Sequence, residues 1–105
     1  CVNNGASIHD VLIKGENLCI SILKKTQQEI SNICSSKEQE SLRFENNFWD
    51  VSDAPFIKDA QSNIFCKVDE TILYNTHKIV IASVLRSESA KTFNTLMYAD
   101  GGYLD

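Results

Sequence analysis

The sequence predicts a mainly β domain, an antiparallel sheet closing toward a small barrel, with short helices filling the connections. Three observations predict it. Two long apolar-alternating runs, Ser62 to Tyr74 and His77 to Arg86, flank the dipeptide Asn75-Thr76 and read as an antiparallel hairpin. A third run, Asn17 to Leu23, sets Leu18, Ile20 and Ile22 against Cys19, Ser21 and Leu23, the pattern of a strand buried on both faces. The remaining elements do not alternate strand with helix as a doubly wound parallel sheet requires.

From the start of the chain, Cys1-Val2-Asn3 reads as the end of a strand, followed by the turn Asn4-Gly5-Ala6. Ser7 stands where a helix cap belongs, with Asp10 three residues on as in a capping box, and Ile8, Val11 and Leu12 give a short helical stripe ended by Gly15. After the Asn17 to Leu23 strand, a second helix opens at Thr26 with Glu29 completing its box, and Ile30, Ile33 and Cys34 form the inward stripe. Residues 35–59 are irregular and polar, anchored by Phe44, Phe48, Trp49 and Phe56. Beyond the hairpin, Thr95 to Tyr98 reads as a last short strand before the turn Asp100-Gly101-Gly102.

Composition narrows the function classes. With 105 residues, 43% of them hydrophobic, the chain fills one core without metal or disulfide support and is too apolar for disorder. A formal charge of -4 leaves no basic stripe for a phosphate backbone, so nucleic acid is not the expected partner. No apolar run reaches the roughly 20 residues of a membrane span, and no secretory signal is legible, so no membrane partner and a cytoplasmic location are expected. Cys1, Cys19, Cys34 and Cys66 are widely spaced and form no C-x-x-C pair. They read as buried free thiols in a reducing compartment, and no metal site is expected.

Motifs of self-sufficient chemistry are missing: there is no G-x-G-x-x-G, Walker loop, H-E-x-x-H or nucleophile elbow. One segment is chemically suggestive. The turn Asn3 to Ser7 delivers backbone amides and a hydroxyl to a predicted helix start, where an anion such as phosphate is favoured; an ordinary serine cap is the competing reading.

Several separate segments, in order, carry a family resemblance: C-V-N-N-G-A-S-I-H (Cys1 to His9), N-L-C-I-S-I-L (Asn17 to Leu23), T-Q-Q-E-I-S (Thr26 to Ser31), R-F-E-N-N-F-W (Arg43 to Trp49), A-P-F-I (Ala54 to Ile57), T-H-K-I-V-I-A-S-V (Thr76 to Val84) and L-M-Y-A-D-G-G-Y (Leu96 to Tyr103). Together they resemble the flavin reductase-like, FMN-binding split-barrel family, and most closely the reductase component of two-component flavin monooxygenases of the 4-hydroxyphenylacetate hydroxylase type. The resemblance implies a Greek-key antiparallel split barrel. It also implies that residues 1–105 form one flavin reductase-like domain that is N-terminally incomplete, with Cys1 inside a barrel strand.

The resemblance further implies NAD(P)H-dependent reduction of FMN or FAD, with NADH or NADPH as co-substrate and a flavin-dependent monooxygenase or other acceptor receiving the reduced flavin. A non-catalytic flavin-binding or interaction module on the same scaffold is the alternative. A homodimer is implied as well. Hydride transfer is carried by the cofactor, so no acid, base or nucleophile is obligatory. By the same resemblance, Asn3, Ser7, Ile8 and His9 become the candidates for flavin phosphate contacts, Arg43 for an anion of either nucleotide, and His77 for positioning the nicotinamide. Phe44 and Trp49 are expected in the core or at a dimer contact. The position after Gly101, commonly basic in relatives, is Gly102 here, which removes the charge a phosphate contact from that turn would use.

Overall fold

The computed structural model describes residues 1–36, 38–39, 41 and 43–104. Among the described residues the elements run β1 (Val2–Asn3), β2 (Asn17–Ile22), α1 (Gln28–Ser35), β3 (Trp49–Asp50), β4 (Phe56–Ile57), β5 (Ser62–Tyr74), β6 (His77–Ser89), β7 (Met97–Ala99) and β8 (Gly102–Leu104). One antiparallel sheet takes the spatial order β1-β6-β5-β2, and β3-β4 and β7-β8 form two-stranded ribbons. The expected mainly β antiparallel architecture is present, as an open half-barrel with one short α-helix.

The β5–β6 hairpin is the backbone of this sheet. Asn75 takes φ 54° in the two-residue loop, a left-handed conformation that asparagine tolerates and that tight hairpins require. The register slips between Phe65 and Cys66 and again between Val68 and Glu70, leaving Leu85 and Asp69 unpaired. Such bulges bend and twist long strands, and they curl this sheet. Ser83 donates its hydroxyl to Asp69 at the second bulge. β6 runs on to Ser89, three residues past its expected end.

The packed core lies toward the β2 edge. Ile30, Ile57 and Ala60 are buried together, with Leu23, Cys34, Phe48 and Trp49 packed against them. Phe65, Cys66 and Val68 extend burial along β5. Ser21 Oγ donates to Asn63 Oδ1 at 2.5 Å and accepts from Ile57 N at 3.1 Å, while Asn63 Nδ2 donates to Ile57 O at 3.0 Å. This closed network ties β2, β4 and β5 together under α1.

Six expectations require correction. The first helix is a single 3-10 turn, His9–Val11, with no side-chain cap: Ser7 is exposed, and Asp10 binds the neighbouring histidine instead of completing a box. The second helix starts at Gln28 after a 3-10 turn at Lys25–Gln27, and the cap is formed by Gln27 Oε1 accepting from Lys24 N at 2.9 Å, so the Thr26–Glu29 box does not form. β2 is not buried on both faces; it is the outer strand of the sheet, and Ile20 and Ile22 stay exposed where no layer covers them. The polar stretch before Asp59 contains the β3–β4 ribbon, which its short strands hid; residues 37, 40 and 42 of that stretch lie outside the described residues. The last strand is split: Thr95 bridges Lys24, and the chain then re-pairs as β7–β8 through the left-handed Asp100 and Gly101. All four cysteines are free, and Cys66 is buried as expected, but Cys1 is exposed and Cys19 and Cys34 are only partly buried.

Candidate functional site

The β1–β6 pairing builds the candidate site. Asn3 lies directly opposite His77 and Val2 opposite Lys78, so Asn3 and His77 share one face of the sheet while Val2 and Lys78 share the other. Asn4 N donates to Thr76 O at 2.8 Å and Asn4 Nδ2 to Asn75 O at 3.4 Å, which seats the first turn on the tip of the hairpin. Thr76 Oγ1 and His77 Nδ1 lie 2.9 Å apart, orienting the exposed imidazole.

Local chemistry shapes the turn. Asn3 Oδ1 accepts from Gly5 N at 2.8 Å and Asn3 O from Ala6 N at 3.0 Å, an Asx turn that reverses the chain within three residues. His9 N and Val11 N donate back to Ala6 O and Ile8 O. The Ser7 and Ile8 amides, which lie between these bonds, donate to no acceptor among the described residues, and the Ser7 side chain is exposed. His9 Nδ1 binds Asp10 Oδ1 at 2.9 Å, leaving its Nε2 buried and unpartnered. The same imidazole, by hydrogen bond and charge, holds the Asp10 carboxyl below the usual carboxylate range.

These unspent donors fit a phosphate oxyanion. The handle is backbone amides and a hydroxyl rather than a helix dipole, since three residues of 3-10 turn carry too few aligned peptides to make one.

Asn3, Ser7, Ile8, His9 and His77 are thus brought to one edge. Arg43 is not. It sits beside Cys34 of α1, with its Nε buried and unpartnered and its carbonyl accepting from Asn46 Nδ2 at 3.0 Å. α1 covers the β2 side, at the opposite edge of the four-stranded sheet, which separates Arg43 from the turn. Phe44 stacks tilted on Trp49 at 4.8 Å between centroids; Trp49 joins the core, while Phe44 remains exposed.

Near the chain end, Tyr98 and Tyr103 pair edge to face at 5.1 Å, and the Tyr103 hydroxyl reaches Ser31 Oγ at 2.8 Å. Beside them lies a 610 Å³ groove lined by Ser31, Asn32, Tyr98, Gly102 and Tyr103 among the described residues.

One residue of the site escaped sequence reasoning. Lys78, at 6% exposure, is buried beneath the turn, where its Nζ donates to His9 O at 2.6 Å and Leu12 O at 3.1 Å. Its signal was positional: in the alternation of β6 it falls on the same face as Val80 and Ala82, which are partly buried, rather than with exposed Ile81.

Among known proteins, FMN reductase (NADH) RutF of Pseudomonas syringae pv. syringae is 30% identical over 100 residues, covering 93% of this chain and 56% of that relative. The chain therefore spans little more than half the length of that relative. The fold of NADH:FAD oxidoreductase SgcE6 from Streptomyces globisporus, solved in complex with NAD and FAD fragments, superposes with a TM-score of 0.87 at 18% identity, covering 100% of this chain and 64% of SgcE6. BorF, the flavin reductase component of a bacterial two-component tryptophan halogenase, superposes with a TM-score of 0.85 at 20% identity, covering 99% of this chain and 68% of BorF. The family described as flavin reductase like domain matches residues 1–105, the turn, the hairpin and the packed core together, and the chain belongs to that family.

Proposed function

We propose that this chain supplies the flavin- and nicotinamide-binding elements of an NAD(P)H-dependent flavin reductase that delivers reduced FMN or FAD to a partner oxygenase or other acceptor. The observation that carries the reading is the register of β1 on β6, which sets the unspent donors of the first turn beside His77 on one edge. Asn3, the Ser7 hydroxyl and the amides of Ser7 and Ile8 hold the flavin phosphate, with His9 closing the turn. His77, held by Thr76, positions the nicotinamide. The bound flavin supplies the hydride-accepting chemistry, so the chain need only bind, orient and exclude water. Arg43 lies on the α1 side, away from this edge.

The names of the relatives support the nucleotide choice: RutF is an NADH-dependent FMN reductase and SgcE6 an NADH:FAD oxidoreductase. BorF supports a partner that consumes reduced flavin. Leu73, Val84 and Leu85 leave apolar surface on β5 and β6 open to solvent, which supports a homodimer. Among the described residues no helix is long and apolar enough to cross a membrane. Four free thiols support a cytoplasmic location, where nicotinamide nucleotides are abundant.

Mixing the chain with flavin and NADH or NADPH and following the nicotinamide absorbance band tests the proposal. Oxidation that depends on flavin is the expected result. Saturable quenching of flavin fluorescence without oxidation would reduce the chain to a binding module, and neither signal would overturn the reading.

A further inference from the structure

We propose that Lys78 is the positioning residue of the anion-binding turn, holding the His9 and Leu12 carbonyls from beneath so that the Ser7 and Ile8 amides stay aimed at the flavin phosphate. The inference rests on the flavin reading of that turn and adds to it a residue 69 positions away from His9 in sequence.

A three-residue 3-10 turn does not sustain itself, since nucleation is costly and its last carbonyls have no partners within the helix. Packing does not hold it either. Ile8, Val11 and Ile13 are half or more exposed, and Leu12 alone is buried. What remains is hydrogen bonding: Asn4 N and Nδ2 to Thr76 O and Asn75 O before the turn, Lys78 Nζ to His9 O and Leu12 O on the turn itself, and Gly15 N to Val68 O after it. Lys78 alone among these reaches the carbonyls of His9 and Leu12.

Lys78 itself is placed at some cost. A buried ammonium is tolerated where its donors are used, and two neutral carbonyls use two of the three. Among the described residues no carboxylate lies within ion-pair distance of it, and Asp10, the acidic group on the turn, binds His9. Asp10 already feels the Lys78 charge, and a phosphate on the turn adds a second negative group near it. Because His77 is the preceding residue of β6 and faces the other way, one strand fixes both the phosphate turn and the nicotinamide-side imidazole.

The test compares the full chain with Lys78→Met, which removes donors and charge at similar volume, and Lys78→Gln, which keeps a donor without the charge. Amide hydrogen exchange is read without flavin, and affinity is read for FMN and for riboflavin, which lacks the phosphate. In Lys78→Met, exchange at His9, Val11 and Ile13 is expected to rise about tenfold or more relative to the Gly15 and Val68 amides, which bond across to Val68 O and Glu16 O. FMN affinity is expected to fall about tenfold while riboflavin affinity stays within about twofold, with Lys78→Gln in between.

Unchanged exchange and FMN affinity would overturn the proposal, as would equal losses for FMN and riboflavin, which mark general loosening. If Lys78→Met does not fold, Lys78→Gln and Lys78→Arg decide the same ratios. An Asn3→Ala variant with wild-type FMN affinity would overturn the flavin reading instead, and the exchange arm would still decide whether Lys78 holds the turn.

Discussion

The Ser21–Asn63 network at the β2 edge of the four-stranded sheet and the first turn at its β1 edge use their polar groups differently. At the β2 edge, Ser21, Asn63 and the Ile57 backbone bond to one another within 3.1 Å beside the cluster of Ile30 and Trp49, although Trp49 Nε1 and Arg43 Nε on that side are buried without a partner. At the β1 edge, Lys78 bonds to the turn's carbonyls from beneath, but among the described residues the Ser7 and Ile8 amides, the Ser7 hydroxyl and His9 Nε2 have no protein partner. Buried polar groups that close on each other fix a fold, because leaving any of them unpaired is expensive. A cluster of unspent donors on an otherwise anchored turn is what a ligand site needs, since rigidity is supplied by the strand and bonding capacity is kept for the ligand. The comparison supports the proposal that the Ser21–Asn63 network serves stability and the first turn serves binding.

Substitutions at the two edges should therefore separate the two properties. The largest effect is expected for Asn63→Ala, which leaves Ser21 and the Ile57 carbonyl unpaired in the interior: a loss of about 3 kcal/mol in urea unfolding, with FMN affinity per folded molecule unchanged. Asn3→Ala should do the reverse, weakening FMN about tenfold in fluorescence titration while costing about 1 kcal/mol of stability from the lost Gly5 bond. His77→Ala sharpens the comparison within the binding edge. The nicotinamide KM should rise about fivefold with flavin affinity nearly unchanged, and an unaltered KM would remove His77 from the site.

The smallest effects come from pH. Burial pushes the Cys19 and Cys34 thiols up. Their contribution to stability is thus complete below the unfolded thiol value of about 8.5 and is lost as pH rises through their raised values, so alkaline melts should steepen there. Asp10 behaves in the opposite sense, its lowered carboxyl ordering the turn above the unfolded carboxylate range and losing that effect as pH falls through its folded value. A thiol reagent at neutral pH should accordingly reach exposed Cys1 well before the other three.

Much of this was legible in the residues, and the parts that were not share a cause. The long hairpin showed itself because period-2 alternation persists over many residues on either side of Asn75, which favours a tight reversal. β3 and β4 did not, since two-residue strands carry no period. The exposed face of β2 was misjudged because Ile20 and Ile22 look buried until the strand is known to lie at the sheet's edge. Ser7 looked like a cap because the sequence does not reveal that Asn3 performs the reversal instead. The family resemblance singled out Asn3 and His77 at separate points of the chain; their adjacency became visible only with the strand register. Lys78 stayed hidden for the commonest reason, that a lysine in a strand reads as solvent-facing.

The central claim is that the Asn3 to His9 turn grips the phosphate of a flavin. Fluorescence titration of the chain with FMN and with riboflavin tests it most directly. The account predicts FMN binding about tenfold or more tighter than riboflavin, with the difference abolished in Asn3→Ala/Ser7→Ala. Equal affinity for the two flavins in the unaltered chain, or no saturable binding of either, would contradict it.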